Sequence, residues 1–153
     1  MDVITSSDTD GMPMRILVVE DNGDGRETLR CLLELLGHQV EVAADGVEGV
    51  EKALAWKPEV AIVDLGLPRL NGFEVARRLR RELGRSVFLI TQTGYCQPED
   101  QREAFASGFD VHLPKPTDPA KLIDWLETAG RRLAKLQAVD GALHATGPRL
   151  PAT

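Results

Sequence analysis

Three short apolar runs constrain this chain more than any other feature: RILVVE (15–20), EVAIVD (59–64) and SVFLIT (86–91). Each is too short for a buried helix and lacks the alternation of a half-exposed strand. Runs of this kind suit strands covered on both faces, as in a parallel sheet flanked by helices. The segments between them fit that frame. Leu29, Leu32, Leu33 and Leu36 recur at helical spacing, and Gly37 stops that helix. DNGDG (21–25) reads as a turn, and HQVEVAA (38–44) alternates as a second strand. Val47, Val50 and Leu54 mark a second helix, ended by Pro58. Asn71 is placed to cap a third, which holds Val75, Ala76 and Leu79. A mostly polar helix over 98–107 and a short strand DVHL (110–113) follow. The last helix starts after Pro116, near Asp118, and is expected to bury Leu122, Ile123, Leu126 and Leu133.

Five strands alternating with five helices predict a doubly wound α/β fold around a parallel sheet. Its crossovers are expected to be right-handed. The 153 residues suit one domain with a real core. We expect a flexible lead over 1–13 and the domain over 14–130. The end of the last helix and a flexible tail fill 131–153, because 138–153 lacks periodicity. No repeat at a period of roughly 20–50 residues is present.

Charge and cysteine content exclude several classes. A net charge of −6 disfavours general binding of nucleic acid or anionic membrane. No apolar run approaches the roughly 18 residues that span a bilayer. The N-terminus lacks the basic start and apolar stretch of a signal peptide. Cys31 and Cys96 alone make no disulfide framework. A cytoplasmic protein is the expectation, with Cys31 in the core and Cys96 in a loop. Trp56 and Trp125 read as packing residues at helix edges. His38 and His144 have no partners at metal-ligand spacing. The basic run RRLRREL (77–83) reads as the solvated face of the third helix rather than a nucleic-acid patch, having no aromatic interleaving.

In open α/β sheets the sites lie at the carboxyl ends of the strands. There the first strand ends in Glu20 and Asp21, the third in Asp64, the fourth in Thr93 and Gly94, and the fifth in Lys115 and Pro116. Three carboxylates brought together repel one another and raise each other's pKa. The arrangement makes sense if a cation joins them, and hard oxygen ligands suit Mg²⁺. A hydroxyl, an ammonium and a metal together make a site for a phosphoryl group. One carboxylate can then act as nucleophile and form an acyl phosphate. Asp64 is the best candidate, because it ends a central strand and flexible backbone follows it.

The stretches ILVVEDN, AIVDLGLPRLNGFEVARRLR and LITQTGYCQPEDQREAFASGFDVHLPKP, with the helix after them, cover about residues 14–130. On these the chain resembles the response regulator receiver domains of two-component signalling, with all five signature positions filled and in order. The resemblance implies a flavodoxin-like sheet of strand order 2-1-3-4-5 with five helices. It implies that Asp64 is the phosphoacceptor. Asp21 and Asp64 would bind Mg²⁺ through side chains, Gly66 through its carbonyl, and Glu20 through a metal-bound water. Thr93 would bind a phosphoryl oxygen and move as the switch, the Gly94 amide would face the same group, and Lys115 would pair with it. The Lys115–Pro116 bond would be cis. Gly66 then has no side chain to block attack, and Pro68 stiffens the loop. The implied donor is a histidine kinase or a His-containing phosphotransfer domain. The output would be a protein partner on the face of helix 4, strand 5 and helix 5, with the domain a monomer or weak dimer. The only catalysis expected is its own phosphorylation and dephosphorylation.

Some positions depart from the family pattern. His112 stands where Tyr or Phe is usual, three residues before the lysine. Two readings are open: a swinging ring with added pH sensitivity, or a surface strand residue. Pro114 removes a backbone donor late in the fifth strand, which fits a short edge strand. Tyr95 reads either as a shield for an acyl phosphate or as a loop aromatic. Haloacid-dehalogenase-type phosphatases need a second Asp where Gly66 stands. A flavin carrier would need a phosphate loop where EDNGDG stands, and a Walker-type loop is absent. A degenerate receiver would lack one of the signature residues. A stand-alone regulator, a phosphate sink or shuttle, and a receiver fragment of a hybrid histidine kinase all remain compatible with the sequence.

Overall fold

The central strands are buried along almost their whole length because helices cover both of their faces. A computed structural model describes residues 13–94 and 97–146, with side chains through 138. The strands are β1 (Arg15–Val19), β2 (Gln39–Ala43), β3 (Val60–Asp64), β4 (Phe88–Thr93) and β5 (Val111–Pro114). The helices are α1 (Gly23–Leu35), α2 (Gly46–Trp56), α3 (Gly72–Leu83), α4 (Pro98–Ser107) and α5 (Pro119–Thr146), and a 3₁₀ turn spans Gly84–Ser86. All strand pairs are parallel, and the order is β2-β1-β3-β4-β5. The expected flavodoxin-like architecture is the one observed.

Alternation along the strands divides the core in two. Leu17 and Val19 of β1, Ala61 and Val63 of β3, and Leu89 of β4 pack with α2, α3 and α4 through Val50, Ala53, Val75, Ala76, Leu79 and Ala104. Ile16, Val18, Val60, Ile62, Phe88 and Ile90 pack with α1 and α5 on the other face. Edge strands β2 and β5 are partly exposed. Pro114 pairs with Thr93 at the end of β5, where the missing donor faces a sheet edge.

Side chains set the helix starts. Asn22, Asp45 and Asn71 each accept a hydrogen bond from the backbone three residues on, capping α1, α2 and α3. The cap at Asn22 corrects one expectation: the turn after β1 is short, and α1 already begins at Gly23.

Other expectations also need correction. Cys31 is exposed rather than in the core, because α1 turns Leu29 and Leu33 inward and position 31 falls on the outer face. Ile123 is only half-buried; the inward positions of α5 are Leu122, Leu126, Ala129 and Leu133, at helical spacing. The aperiodic stretch from residue 138 is helical through Thr146, because α5 continues without a break. The basic run of α3 is not wholly solvated, since Arg80 turns inward to four partners. The expectations for the lead over 1–12, Tyr95, Cys96, the His144 side chain and the tail after 146 lie outside the described residues. Among the described residues no helix is long and apolar enough to cross a membrane.

Candidate functional site

At the carboxyl edge of the sheet the apolar rows give way to a polar one. Alternation carries the α1/α5 face from Val18, Ile62, Ile90 and Leu113 up to Glu20, Asp64, Gln92 and Lys115. Asp64 is nearly buried and Glu20 is only 2% exposed. Asp21 follows on the solvent side. One oxygen from each of Glu20, Asp21 and Asp64 lies within 4.8 Å of the others.

Lys115 closes this group. Its Nζ donates to Glu20 Oε1 at 2.7 Å and to Asp64 Oδ2 at 3.2 Å. Glu20 Oε2 accepts from the Asn22 amide at 3.1 Å, and Asp64 Oδ1 from the Gly66 amide at 3.2 Å. Burial raises the Glu20 pKa above its ordinary value, against the opposing pull of the Lys115 and Asn22 hydrogen bonds, and Asp64 adds to the rise. Burial pulls the Lys115 ammonium down, but the Glu20 hydrogen bond and the Asp64 charge outweigh it and raise the pKa. One ammonium among three carboxylates leaves a net negative pocket of hard oxygen donors, which fits a divalent cation such as Mg²⁺.

The loop after Asp64 is held from below. Leu65 and Leu67 are buried in the α2/α3/α4 core, and the Gly72 amide donates to the Leu65 carbonyl at 2.9 Å. A Cβ on Gly72 would lie 2.5 Å from the Asp64 carbonyl oxygen, so α3 starts directly against the acceptor's backbone. A Cβ on Gly66 would meet nothing within 4 Å. Packing therefore does not demand glycine there; its absence of a side chain leaves space beside Asp64.

Thr93 ends β4, is 7% exposed, and its carbonyl accepts from the Lys115 amide at 2.9 Å. Alternation turns its side chain to the face opposite Gln92. Gly94 lies beside Lys115, with a virtual Cβ 4.0 Å from Lys115 Cβ. His112 pairs in register with Thr91, one step below Thr93 on the same face. Burial lowers its pKa, and Asp100 of α4 opposes that shift. The Lys115–Pro116 bond is cis. The predicted residues thus converge on one edge of the sheet.

Sequence reasoning passed over Gln92 and Thr117. Gln92 is 6% exposed, and its Oε1 accepts a hydrogen bond from Thr117 Oγ1 at 2.6 Å. The signal was present as a polar residue at an inward position of an otherwise apolar strand.

Comparison with known proteins agrees with this geometry. The family described as the response regulator receiver domain matches residues 16–127. The response regulator MprA of Mycobacterium sp. (strain KMS) is 34% identical over 129 residues, covering 84% of this chain and 56% of that protein. An uncharacterized 14.6 kDa protein of Leptolyngbya boryana is 38% identical over 111 residues, covering 72% of this chain and 85% of its own length. The chain therefore spans little more than half of MprA. Among solved structures, a CheY-like receiver domain protein from Methanospirillum hungatei JF-1 superposes with a TM-score of 0.76 at 27% identity, over 81% of this chain and 98% of that one. The receiver domain of sensor histidine kinase PA1611 from Pseudomonas aeruginosa PAO1, solved with magnesium in its active-site cleft, gives 0.71 at 30% identity, over 78% and 99%. Fold, acidic cluster and family match converge: the chain belongs to the response regulator receiver domains.

Proposed function

We propose that this chain is a phosphoacceptor that takes a phosphoryl group onto Asp64 from a histidine kinase or a His-containing phosphotransfer domain in the cytoplasm. The observation that carries the reading is the Lys115 ammonium bridging Glu20 and Asp64, 2.7 Å and 3.2 Å away, within the three-carboxylate cluster. An Asp64 oxygen attacks phosphorus, the P–N bond to the donor imidazole breaks, and the imidazole leaves with the bonding pair. The Asp21 and Asp64 side chains and the Gly66 carbonyl, with Glu20 acting through a water, would hold Mg²⁺, which would neutralise charge on the transferring group. Lys115 exchanges its Asp64 contact for a phosphoryl oxygen, and the Gly94 amide faces the same group.

Thr93 accompanies the new charge and repacks the loop after β4, with His112 two register positions away on the neighbouring strand. The face of α4, β5 and α5 then changes its affinity for a protein partner. Hydrolysis of its own acyl phosphate resets the domain, and no other substrate is turned over. A second reading, that this is the receiver portion of a longer sensor kinase, is supported by the likeness to the receiver domain of PA1611.

Intact mass after incubation with acetyl phosphate tests the chemistry. Wild type should gain one phosphoryl group only with Mg²⁺, and Asp64→Asn should gain none. No gain in wild type that binds Mg²⁺ normally would overturn the reading in favour of a binding module.

A further inference from the structure

Gln92 stands beside Asp64 in the β3–β4 register and beside Leu113 in the β4–β5 register. It therefore fills the polar row between the acceptor and the strand that leads into Lys115. Its partner Thr117 lies two residues beyond Lys115, in the turn before α5. That turn does not rest on core. A cavity of about 600 Å³ separates it from α1, with Pro116, Thr117 and Pro119 on one side and Thr28, Leu29 and Leu32 on the other. A segment bordering a cavity lacks the close contacts that fix side chains in a packed interior.

The lysine needs fixing, since its ammonium sits on a flexible four-carbon stem. Among the described residues, ties from β4 to the turn include the Lys115 amide, which donates to the Thr93 carbonyl at 2.9 Å, and Thr117, which donates to Gln92 at 2.6 Å. Stability alone does not account for the second tie. Two apolar side chains of similar shape would be about as stable as a satisfied neutral hydrogen bond.

We infer that Gln92 and Thr117 are a positioning pair that anchors the Lys115 turn and so holds the ammonium opposite Asp64. The inference rests on the phosphoacceptor reading for its consequence, but the anchoring is measurable without it. Without the tie, the turn samples positions over the cavity, and Lys115 meets the incoming phosphoryl group less often in the productive place.

The full chain carrying Thr117→Val, Gln92→Met, both, or Thr117→Ser provides the test. Each of the first two should slow Asp64 phosphorylation by acetyl phosphate about fivefold, the worth of one neutral hydrogen bond. The double variant should be no slower than either single one, since both remove the same tie. Thr117→Ser keeps the hydroxyl and should stay within about twofold of wild type. Mg²⁺ affinity by calorimetry should not change. Hydrogen exchange at the Lys115 and Thr117 amides, measured without phosphodonor, should accelerate in Thr117→Val and Gln92→Met and not in Thr117→Ser. Unchanged exchange at these amides would overturn the inference, whether or not the wild type accepts a phosphoryl group. Wild-type phosphorylation rates in Thr117→Val, or losses that multiply in the double variant, would overturn it equally. A wild type that takes no phosphoryl group while exchange responds as expected would sink the phosphoacceptor reading alone.

Discussion

The guanidinium of Arg80 meets the carboxylate of Asp110 at 2.6 Å, joining α3 to the loop that enters β5. The same guanidinium donates to the carbonyls of Gly84, Val87 and Gly108. Asp110 in turn accepts from the Leu89 amide at 2.9 Å. Both side chains are less than a quarter exposed. Arg80→Met should destabilise by about 3 kcal/mol, because it leaves a partly buried carboxylate and three carbonyls short of a donor. The urea midpoint of unfolding measures this. An unchanged midpoint would show the lock to be idle.

Glu20 is costly to keep charged. Its folded pKa lies above the ordinary 4.5, chiefly through burial. The folded state therefore binds the proton more tightly than the unfolded chain, and Glu20's contribution to stability falls as pH rises from 4.5 through the raised value. Glu20→Gln should raise the melting temperature of metal-free protein at pH 7, with the difference closing toward pH 4.5. Added Mg²⁺ should stabilise wild type more than the variant, because binding to the folded state adds to its stability. Melting curves with EDTA and with Mg²⁺ check both signs.

His38 works in the opposite direction. Its Nδ1 accepts a hydrogen bond from the Met14 amide at 3.1 Å, which requires that nitrogen to be unprotonated. Burial lowers its pKa below 6.5, with Glu59 opposing. The unfolded chain thus binds the proton more readily. The stability His38 contributes is complete above pH 6.5 and is lost as pH falls toward the lowered folded value. Melting temperature followed downward from pH 7.5 should fall less steeply in His38→Gln than in wild type. Parallel profiles would refute this role.

Gly72→Ala probes how closely α3 supports the acceptor. The new Cβ would lie 2.5 Å from the Asp64 carbonyl oxygen and 2.7 Å from Leu65 Cα, so backbone must move. Overpacking of this kind costs about 1–3 kcal/mol. The displaced strand end should also slow phosphorylation of the folded fraction. Denaturant midpoints and acetyl phosphate kinetics on one preparation separate the two effects. A variant that keeps both wild-type values would mean that the helix start yields instead.

Much of the fold was legible because parallel strands covered on both faces leave a local mark: continuous apolar runs ending in polar residues. Those ends named Glu20, Asp21, Asp64, Thr93 and Lys115, since a strand's last residue reaches the sheet edge whatever its neighbours are. Partnership was not legible. Arg80 sits in a basic run that looks solvated, and only the return of the chain at Val87, Gly108 and Asp110 gives it three of its four acceptors. Cys31 looks like core until α1 is rotated onto the sheet by Leu29 and Leu33. Gln92 gains its meaning from register, which pairs it with Asp64, and from a turn that brings Thr117 within 2.6 Å. Local pattern is enough to specify the elements and their polar ends, because periodicity and apolar runs act over a few residues. Tertiary structure alone decided which of those ends share a face and which side chain holds which, because register and packing join residues far apart in the chain.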